Sequence, residues 1–170
     1  MVYVPWTRQY PECRAALAPS SPVYVDVSGD DYAYWRLVKR LWTAKSPGES
    51  FALVEHDVLV EPDTLASLDD CPERWCAYAI HSVDVGNGQP WVATFGCVRF
   101  RPSGDWPLPE PVEWTWLDME TEEALHKLGW VKHVHWPMLA TLKYVQGGEA
   151  QMTSGTNGTR DASKSRMSAV

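Results

Sequence analysis

The 170-residue sequence has no long hydrophobic segment and no excess of basic residues. No apolar run approaches the roughly 20 residues that a membrane-spanning helix needs, so we expect no contact with a membrane. The first residues lack the basic start and apolar stretch of a signal peptide, which favours a cytoplasmic protein. The 15 basic residues are outnumbered by 22 acidic ones, for a formal net charge of −7. General binding to a nucleic-acid backbone is therefore not expected.

Cysteine is scarce, and its spacing does not match a zinc-binding motif. The cysteines are Cys13, Cys71, Cys76 and Cys97, and four residues separate Cys71 from Cys76. Closely spaced cysteine pairs are typical of zinc domains, and disulfides are rare in the cytosol. The sequence therefore predicts free thiols.

The composition indicates a globular protein with a hydrophobic core. Hydrophobic residues make up 45% of the chain and charged residues 22%, which is typical of globular domains. From Gly147 onward the sequence becomes small, polar and aperiodic, which is typical of disorder. We expect one compact domain over residues 1–146 and a flexible polar tail over residues 147–170.

Strand-like and helix-like segments alternate along the first half of the chain. Short apolar runs predict strands at residues 2–6, 23–27 and 51–54. Apolar residues at helical spacing predict a helix between Asp30 and Ala44. Such alternation is typical of right-handed βαβ units. The prediction is a single-domain α/β fold with a mostly parallel central sheet flanked by helices.

The second half of the chain predicts further elements of both kinds. The expected strands are Trp75–Ile80, Trp91–Phe100 and Val131–His135, and a helix through Leu117 and Leu128 should end at Gly129.

Acidic side chains follow two of the predicted parallel strands. Asp26 ends one strand, and Glu55 and Asp57 follow the next, buried one. Ligands of parallel sheets bind at the carboxyl ends of the strands. Residues two apart on an extended chain point the same way, so both acids can offer oxygen ligands to one Mg²⁺ or Mn²⁺ ion. The alternative is a pair of solvated loop acids.

A second group of candidate residues lies near the end of the predicted domain. His133 and His135 share one face of a strand and suit Mn²⁺, zinc or iron, unless they are a plain surface pair. Asp118 fits either a helix N-cap or a general base. Trp106, Trp114 and Trp116 lie in Pro-rich, loop-like sequence, where exposed indoles suit stacking on a sugar or a base.

Taken in order, these segments resemble the nucleotide-diphosphate-sugar glycosyltransferases of the GT-A fold, especially the inverting family that includes cellulose-synthase-like enzymes. Residues 2–8 look like that family's first strand and nucleotide-binding turn, and residues 25–31 look like its second strand and acidic loop. The triplet at residues 55–57 is similar to its metal-binding acid-x-acid motif. Asp118, with His135 after it, resembles the region of the catalytic base.

The resemblance implies a metal-dependent transfer of a sugar from a nucleoside diphosphate sugar, UDP-linked by preference, to an acceptor hydroxyl with inversion. Asp118 would be the catalytic base, and Trp114 and Trp116 would bind the acceptor. Mn²⁺ or Mg²⁺ would be held by Asp57, Glu55 and His135. The implied nucleotide-sugar contacts are Pro5, Trp6, Thr7, Asp26, Ser28, Asp31, Glu55 and His56.

Three other functions remain open at this point. A nucleotidyltransferase would use the same metal and diphosphate chemistry, although residues 7–10 lack the glycine-rich loop of that class. A metal-dependent hydrolase would combine Asp57, His81, His133 and His135 around a metal-bound water. The third is a sugar-nucleotide-binding protein without catalytic activity.

Overall fold

The computed structural model describes residues 1–46, 48–81 and 95–142, apart from the side chain of His81. The predicted tail and the first part of the predicted strand Trp91–Phe100 lie outside these residues. The described strands are β1 (Val2–Trp6), β2 (Val23–Asp26), β3 (Phe51–Val54), β4 (Val58–Leu59), β5 (Trp75–His81), β6 (Cys97–Phe100) and β7 (His133–Thr141). The described α-helices are α1 (Pro11–Leu17), α2 (Ala33–Thr43), α3 (Thr64–Asp70) and α4 (Trp114–Lys127), and a 3₁₀ turn, Ala18–Ser20, follows α1.

The seven described strands form one sheet in the order β2-β1-β3-β6-β5-β7-β4. The pairs β1–β2, β1–β3 and β5–β7 are parallel. The pairs β3–β6, β5–β6 and β4–β7 are antiparallel. The α/β class is therefore confirmed, but the sheet is mixed rather than mostly parallel. The difference arises because β6 inserts antiparallel between β3 and β5, and β4 is a two-residue edge strand.

The sheet lies between two hydrophobic layers. All residues of the central strands β3 and β6 are buried, as expected for strands covered on both faces. One layer contains apolar residues of α2 and α4, including Val38 and Leu117. The other contains Leu17 of α1 and Leu68 of α3. Helices thus cover both faces of the sheet.

Tryptophans form the centre of the layer beneath α2. The indole of Trp42 stacks on that of Trp130 at a centroid distance of 5.5 Å and meets Trp106 edge-on at 5.3 Å. The Trp42 indole N–H donates to the carbonyl of Gly104. Trp106 is therefore a core residue, and the suggestion that its indole is exposed for stacking is wrong. Its Pro-rich segment folds back over the core.

Helix α4 begins earlier than the sequence predicts and ends where expected. Its N-cap is Glu113, so Asp118 lies inside the helix and the N-cap interpretation of Asp118 is wrong. At the other end, Gly129 adopts a left-handed φ of 76° and its N–H donates to the His126 carbonyl. This is the glycine-terminated geometry that the sequence predicts.

All four cysteines are buried and free, as predicted. In the described part of the chain, no helix has both the length and the apolar character needed to cross a bilayer.

Candidate functional site

A cleft of about 310 Å³ opens at the carboxyl ends of β1, β2 and β3. We call it the strand-end cleft. Segments from six parts of the chain line it: the end of β1, the loop after β1, the loop after β2, the turn after β3, helix α2 and the start of α4. The lining residues are Pro5, Thr7, Arg8, Tyr10, Val27, Ser28, Asp30, Asp31, Tyr34, Glu55, His56, Asp57 and Trp114.

The position of this cleft follows from the strand order. The chain leaves β1 toward β2 on one side, and β3 pairs with β1 on the other. Helix α1 packs on one face of the sheet and α2 on the opposite face. Where neighbouring connections leave a sheet toward opposite faces, the loops at the strand ends diverge and leave a crevice. Ligands of α/β sheets bind in such crevices. Most of the residues predicted to contact a nucleotide sugar meet there.

The acidic triplet after β3 forms a turn rather than an extended segment. The N–H of Val58 donates to the Glu55 carbonyl at 3.1 Å, which closes the turn. The N–H of Glu55 is anchored to the Gly96 carbonyl at 2.9 Å. Glu55 and Asp57 nevertheless both line the strand-end cleft. Their shared direction comes from the turn, not from the alternation of a strand.

Asp57 is a buried acidic residue for which the described part of the chain provides no salt bridge. It is 7% exposed, and no lysine, arginine or histidine among the described residues forms a salt bridge with it. A buried charge is costly unless it is compensated. Two carboxylates beside a phosphate group are the typical protein ligands of Mg²⁺, which keeps several water ligands. Asp57 and Glu55 therefore fit a hard divalent cation.

Asp26 acts on the cleft through Ser28. One carboxylate oxygen of Asp26 accepts hydrogen bonds from both the backbone N–H and the hydroxyl of Ser28, at 2.9 and 2.7 Å. These bonds lower the pKa of Asp26. Asp26 is not among the lining residues, whereas Ser28 and Asp31 are. Asp30 and Asp31 are thus the acidic residues of this loop that line the cleft, and Asp26 holds the loop through Ser28.

Aromatic and cationic groups form one wall of the cleft. The rings of Tyr10 and His56 stack with centroids 5.7 Å apart and an interplanar angle of 15°. The guanidinium of Arg8 lies 5.3 Å from the centre of the Tyr10 ring. Arg8 is the basic residue among the lining side chains, apart from His56. This wall combines a flat surface with a positive charge.

Tyr34 of α2 lines the same cleft, and its hydroxyl group is buried. The residue is 7% exposed, and its hydroxyl has no hydrogen-bond partner among the described residues. Burial raises the pKa of this phenol well above its usual value, and the negative charges of Glu55, Asp118 and Asp57 raise it further. The hydroxyl therefore stays protonated as a donor.

Asp118 is half-buried on α4, close to Tyr34. Burial raises the pKa of its carboxyl group, and the hydrogen bond donated by the Met119 N–H opposes that rise. A carboxylate with a raised pKa is a stronger base. Asp118 does not line the cleft. Its charge nevertheless acts on Tyr34, and Tyr34 does line the cleft.

The sequence did not single out Tyr34, Arg8 or Tyr10 as contact residues, although Arg8 lies in the segment that resembles a nucleotide-binding turn. The periodicity of α2 marks Tyr34 as a core position, and nothing in that pattern shows where its hydroxyl points. Arg8 and Tyr10 lie in the loop between β1 and α1, where only the folded loop brings them beside His56.

Besides Asp26, the predicted contact residues Trp6 and Trp116 do not line the cleft. Trp6 follows Pro5 on β1, and successive strand residues face opposite sides of the sheet. Trp116 is two residues beyond Trp114 on α4, so the two indoles leave the helix in different directions. Trp116 lines a separate surface groove with Trp130 and is 54% exposed.

His135 does not join the acidic triplet. The Leu142 N–H, just beyond β7, donates to the Asp57 carbonyl at 2.8 Å, so Asp57 lies beside the end of that strand. His135 is seven residues earlier, near the start of β7, and a strand rises roughly 3.3 Å per residue. A bulge in β7 matches His135–Leu139 to only Tyr78–Ile80 of β5, so the two residues are roughly 16 Å apart along the strand. A metal site shared by Asp57 and His135, and a hydrolase site joining Asp57 to His133, do not form.

The two histidines of β7 instead meet a cysteine. The ligand atoms of Cys71, His133 and His135 all lie within 4.8 Å of one another, and among the described residues this is the one such group of three. We call it the cysteine–histidine cluster. The His135 ring stacks on Tyr78 with a centroid distance of 5.1 Å.

Comparison with known proteins does not add to this geometry. No family model matches the chain, and no curated protein matches it significantly.

Proposed function

We propose that this protein is a metal-dependent glycosyltransferase that moves a sugar from a nucleoside diphosphate sugar to an acceptor hydroxyl. One observation carries the proposal: the loops after three adjacent parallel strands bring hydroxyl, carboxylate, cationic and aromatic side chains into one cleft. The cleft has the volume of a small-molecule site. The segments that line the cleft follow one another along the chain in the same order as the segments that resemble GT-A enzymes.

The nucleotide would lie across the loops after β1 and β2. Thr7 and Ser28 offer hydroxyl groups, and the Asp31 carboxylate suits the hydroxyls of a ribose. Tyr10 and His56 offer a stacked aromatic surface. Arg8 would face the diphosphate, because a guanidinium matches phosphate oxygens in geometry and charge.

The turn after β3 would receive the diphosphate. Asp57 and Glu55 would hold Mg²⁺ or Mn²⁺, which when bound supplies positive charge to offset the negative charge of the leaving diphosphate. The Tyr34 hydroxyl lies beside these acids as a protonated donor. It would donate to a phosphate or sugar oxygen.

Asp118 would act as the general base. It would take the proton from the acceptor hydroxyl as that oxygen bonds to the sugar carbon and the bond from that carbon to the diphosphate breaks. Burial holds its pKa above the usual value and so makes it more basic. Trp114, at the rim of the cleft and 56% exposed, offers the acceptor a stacking surface.

A thermal-shift panel tests the proposal. The full chain is titrated with UDP-linked, GDP-linked and ADP-linked sugars, each with and without Mn²⁺. A ligand that binds the folded state raises the unfolding temperature by mass action. We expect stabilisation by at least one sugar nucleotide that requires the metal, followed by release of the free nucleoside diphosphate.

Asp57→Asn is the decisive variant, and Asp63→Asn is its matched control. Asp63 is exposed on the loop before α3 and does not line the cleft. Asp57→Asn should lose the metal-dependent stabilisation while Asp63→Asn keeps it. The proposal fails if no sugar nucleotide stabilises the wild type, or if Asp57→Asn binds with unchanged calorimetric affinity.

A further inference from the structure

The cysteine–histidine cluster lies on the face of the sheet that α1 and α3 cover, away from the strand-end cleft. Cys71 directly follows α3, whereas His133 and His135 begin β7. His133 pairs in register with Cys76 of β5, and His135 pairs with Tyr78. Register partners on neighbouring strands point to the same face. Both histidines therefore lie over the layer that contains Cys71 and Cys76.

The two cysteines are adjacent in this layer. Cys71 is 3% exposed and Cys76 is fully buried, and their thiol groups share a hydrogen bond. The Nε2 atom of His135 is buried and has no hydrogen-bond partner among the described residues. His133, by contrast, is exposed. The cluster thus has a buried sulfur side, an unpartnered imidazole nitrogen and an opening to solvent.

We propose that Cys71, His133 and His135, with Cys76 as the fourth ligand, bind a zinc ion. Two thiolates and two imidazoles are a typical tetrahedral ligand set for zinc. Donor atoms in such a site are roughly 3.4–3.8 Å apart, given the usual Zn–S and Zn–N bond lengths. The separations of up to 4.8 Å among Cys71, His133 and His135 need only an inward adjustment of these side chains, whereas Cys76 lies outside that group and would have to turn toward it.

Charge balance favours two sulfur ligands over one. Arg99 is fully buried beside the cluster, and its Nη2 donates to the Cys71 carbonyl at 2.9 Å and to the Cys76 sulfur at 3.5 Å. A second cation beside this guanidinium is unfavourable unless it is neutralised. Two thiolates neutralise Zn²⁺ completely, and the Arg99 N–H then serves as a donor to a ligand sulfur, a contact typical around metal ligands.

Cobalt substitution tests this site directly. The full chain, reduced and freed of metal with a chelator, is titrated with Co²⁺ alone and then with Zn²⁺. We expect thiolate-to-cobalt absorption that saturates at a single equivalent and disappears as zinc displaces the cobalt. Zinc should also raise the unfolding temperature.

Matched variants separate the cluster from other cysteines and histidines. Cys71→Ser and His133→Ala should lose the absorption and the zinc-dependent stabilisation. Cys13→Ser, at another buried cysteine, and His126→Ala, at an exposed histidine of α4, should keep both. His133 is exposed, so its removal leaves the fold intact. Absorption that is absent from the wild type, or that survives in Cys71→Ser and His133→Ala, overturns the proposal.

The outcome is independent of the proposed transferase activity. Asp57→Asn should keep the cobalt absorption, because Asp57 lies at the opposite end of β7 from the cluster.

Discussion

The ring of Tyr10 lies nearly parallel to the imidazole of His56, with centroids 5.7 Å apart. Tyr10 precedes α1, and His56 lies in the turn after β3, so the stack joins two loops that are far apart in the sequence. It fixes the acidic turn against the loop that carries Arg8. The stack therefore shapes the cleft as well as lining it.

Replacing Tyr10 with Ala should weaken nucleotide binding without unfolding the domain. Aromatic stacking contributes about 0.5–1.5 kcal/mol beyond the buried area, so the affinity for a nucleoside diphosphate should fall by a corresponding factor. Isothermal titration calorimetry with UDP and Mn²⁺ measures the change.

Tyr10→Phe is the control, because it keeps the ring and removes only the hydroxyl. Its affinity should stay close to that of the wild type. A Phe variant that binds as weakly as the Ala variant would show that the hydroxyl, and not the stacked ring, makes the contact.

Local patterns in the sequence predicted most of the helices and strands. They also predicted that the ligand site lies at the carboxyl ends of the parallel strands. The unbroken apolar run of β3 predicted a buried strand, and the acids after it predicted a carboxylate pair at the strand end, although on an extended segment rather than the turn that the structure shows. Gly129 predicted the end of α4. These predictions succeeded because each depends on burial or backbone conformation within a few residues.

The predictions that failed depend on contacts between distant segments. Nothing within residues 97–100 shows that β6 runs antiparallel to β3. His133 and His135 were correctly placed on one strand face, but the length of β7 separates that face from Asp57. Cys71 is 62 positions away from His133 in the sequence and meets it only because α3 ends beside β7.

Removing the Tyr34 hydroxyl should have opposite effects on the free and the ligand-bound protein. In the described structure the hydroxyl is buried without a partner, and such a group costs about 1–3 kcal/mol of stability. Tyr34→Phe should therefore have an equal or higher free energy of unfolding without ligand. Its affinity for the sugar nucleotide should fall by about 0.5–1.5 kcal/mol, the contribution of one hydrogen bond.

Chemical denaturation and calorimetry on the same preparation separate these two effects. A lower stability of ligand-free Tyr34→Phe would mean that the hydroxyl already has a partner. Unchanged affinity would remove Tyr34 from the ligand contacts and leave it a core residue.

The pH dependence of turnover should report on Asp118. The base must be ionised, and burial raises its pKa above the ordinary value of 3.8. As the pH falls, Asp118 takes up its proton earlier than an exposed aspartate would. The acid limb of the kcat profile should therefore lie above pH 3.8, measured as release of nucleoside diphosphate at saturating substrate.

Asp118→Asn should lower kcat by about 10²–10⁴-fold, the usual contribution of a general base, and leave the affinity for the sugar nucleotide unchanged. It should not destabilise the fold at neutral pH. Because the folded pKa is raised, ionisation of Asp118 costs stability as the pH rises from 3.8 through the folded pKa, and asparagine removes that cost.

Glu120→Gln, at an exposed acid of the same helix, is the control and should keep full activity. If Asp118→Asn retains wild-type kcat, the base is another residue of the cleft, and Glu55 is then the next carboxylate to replace.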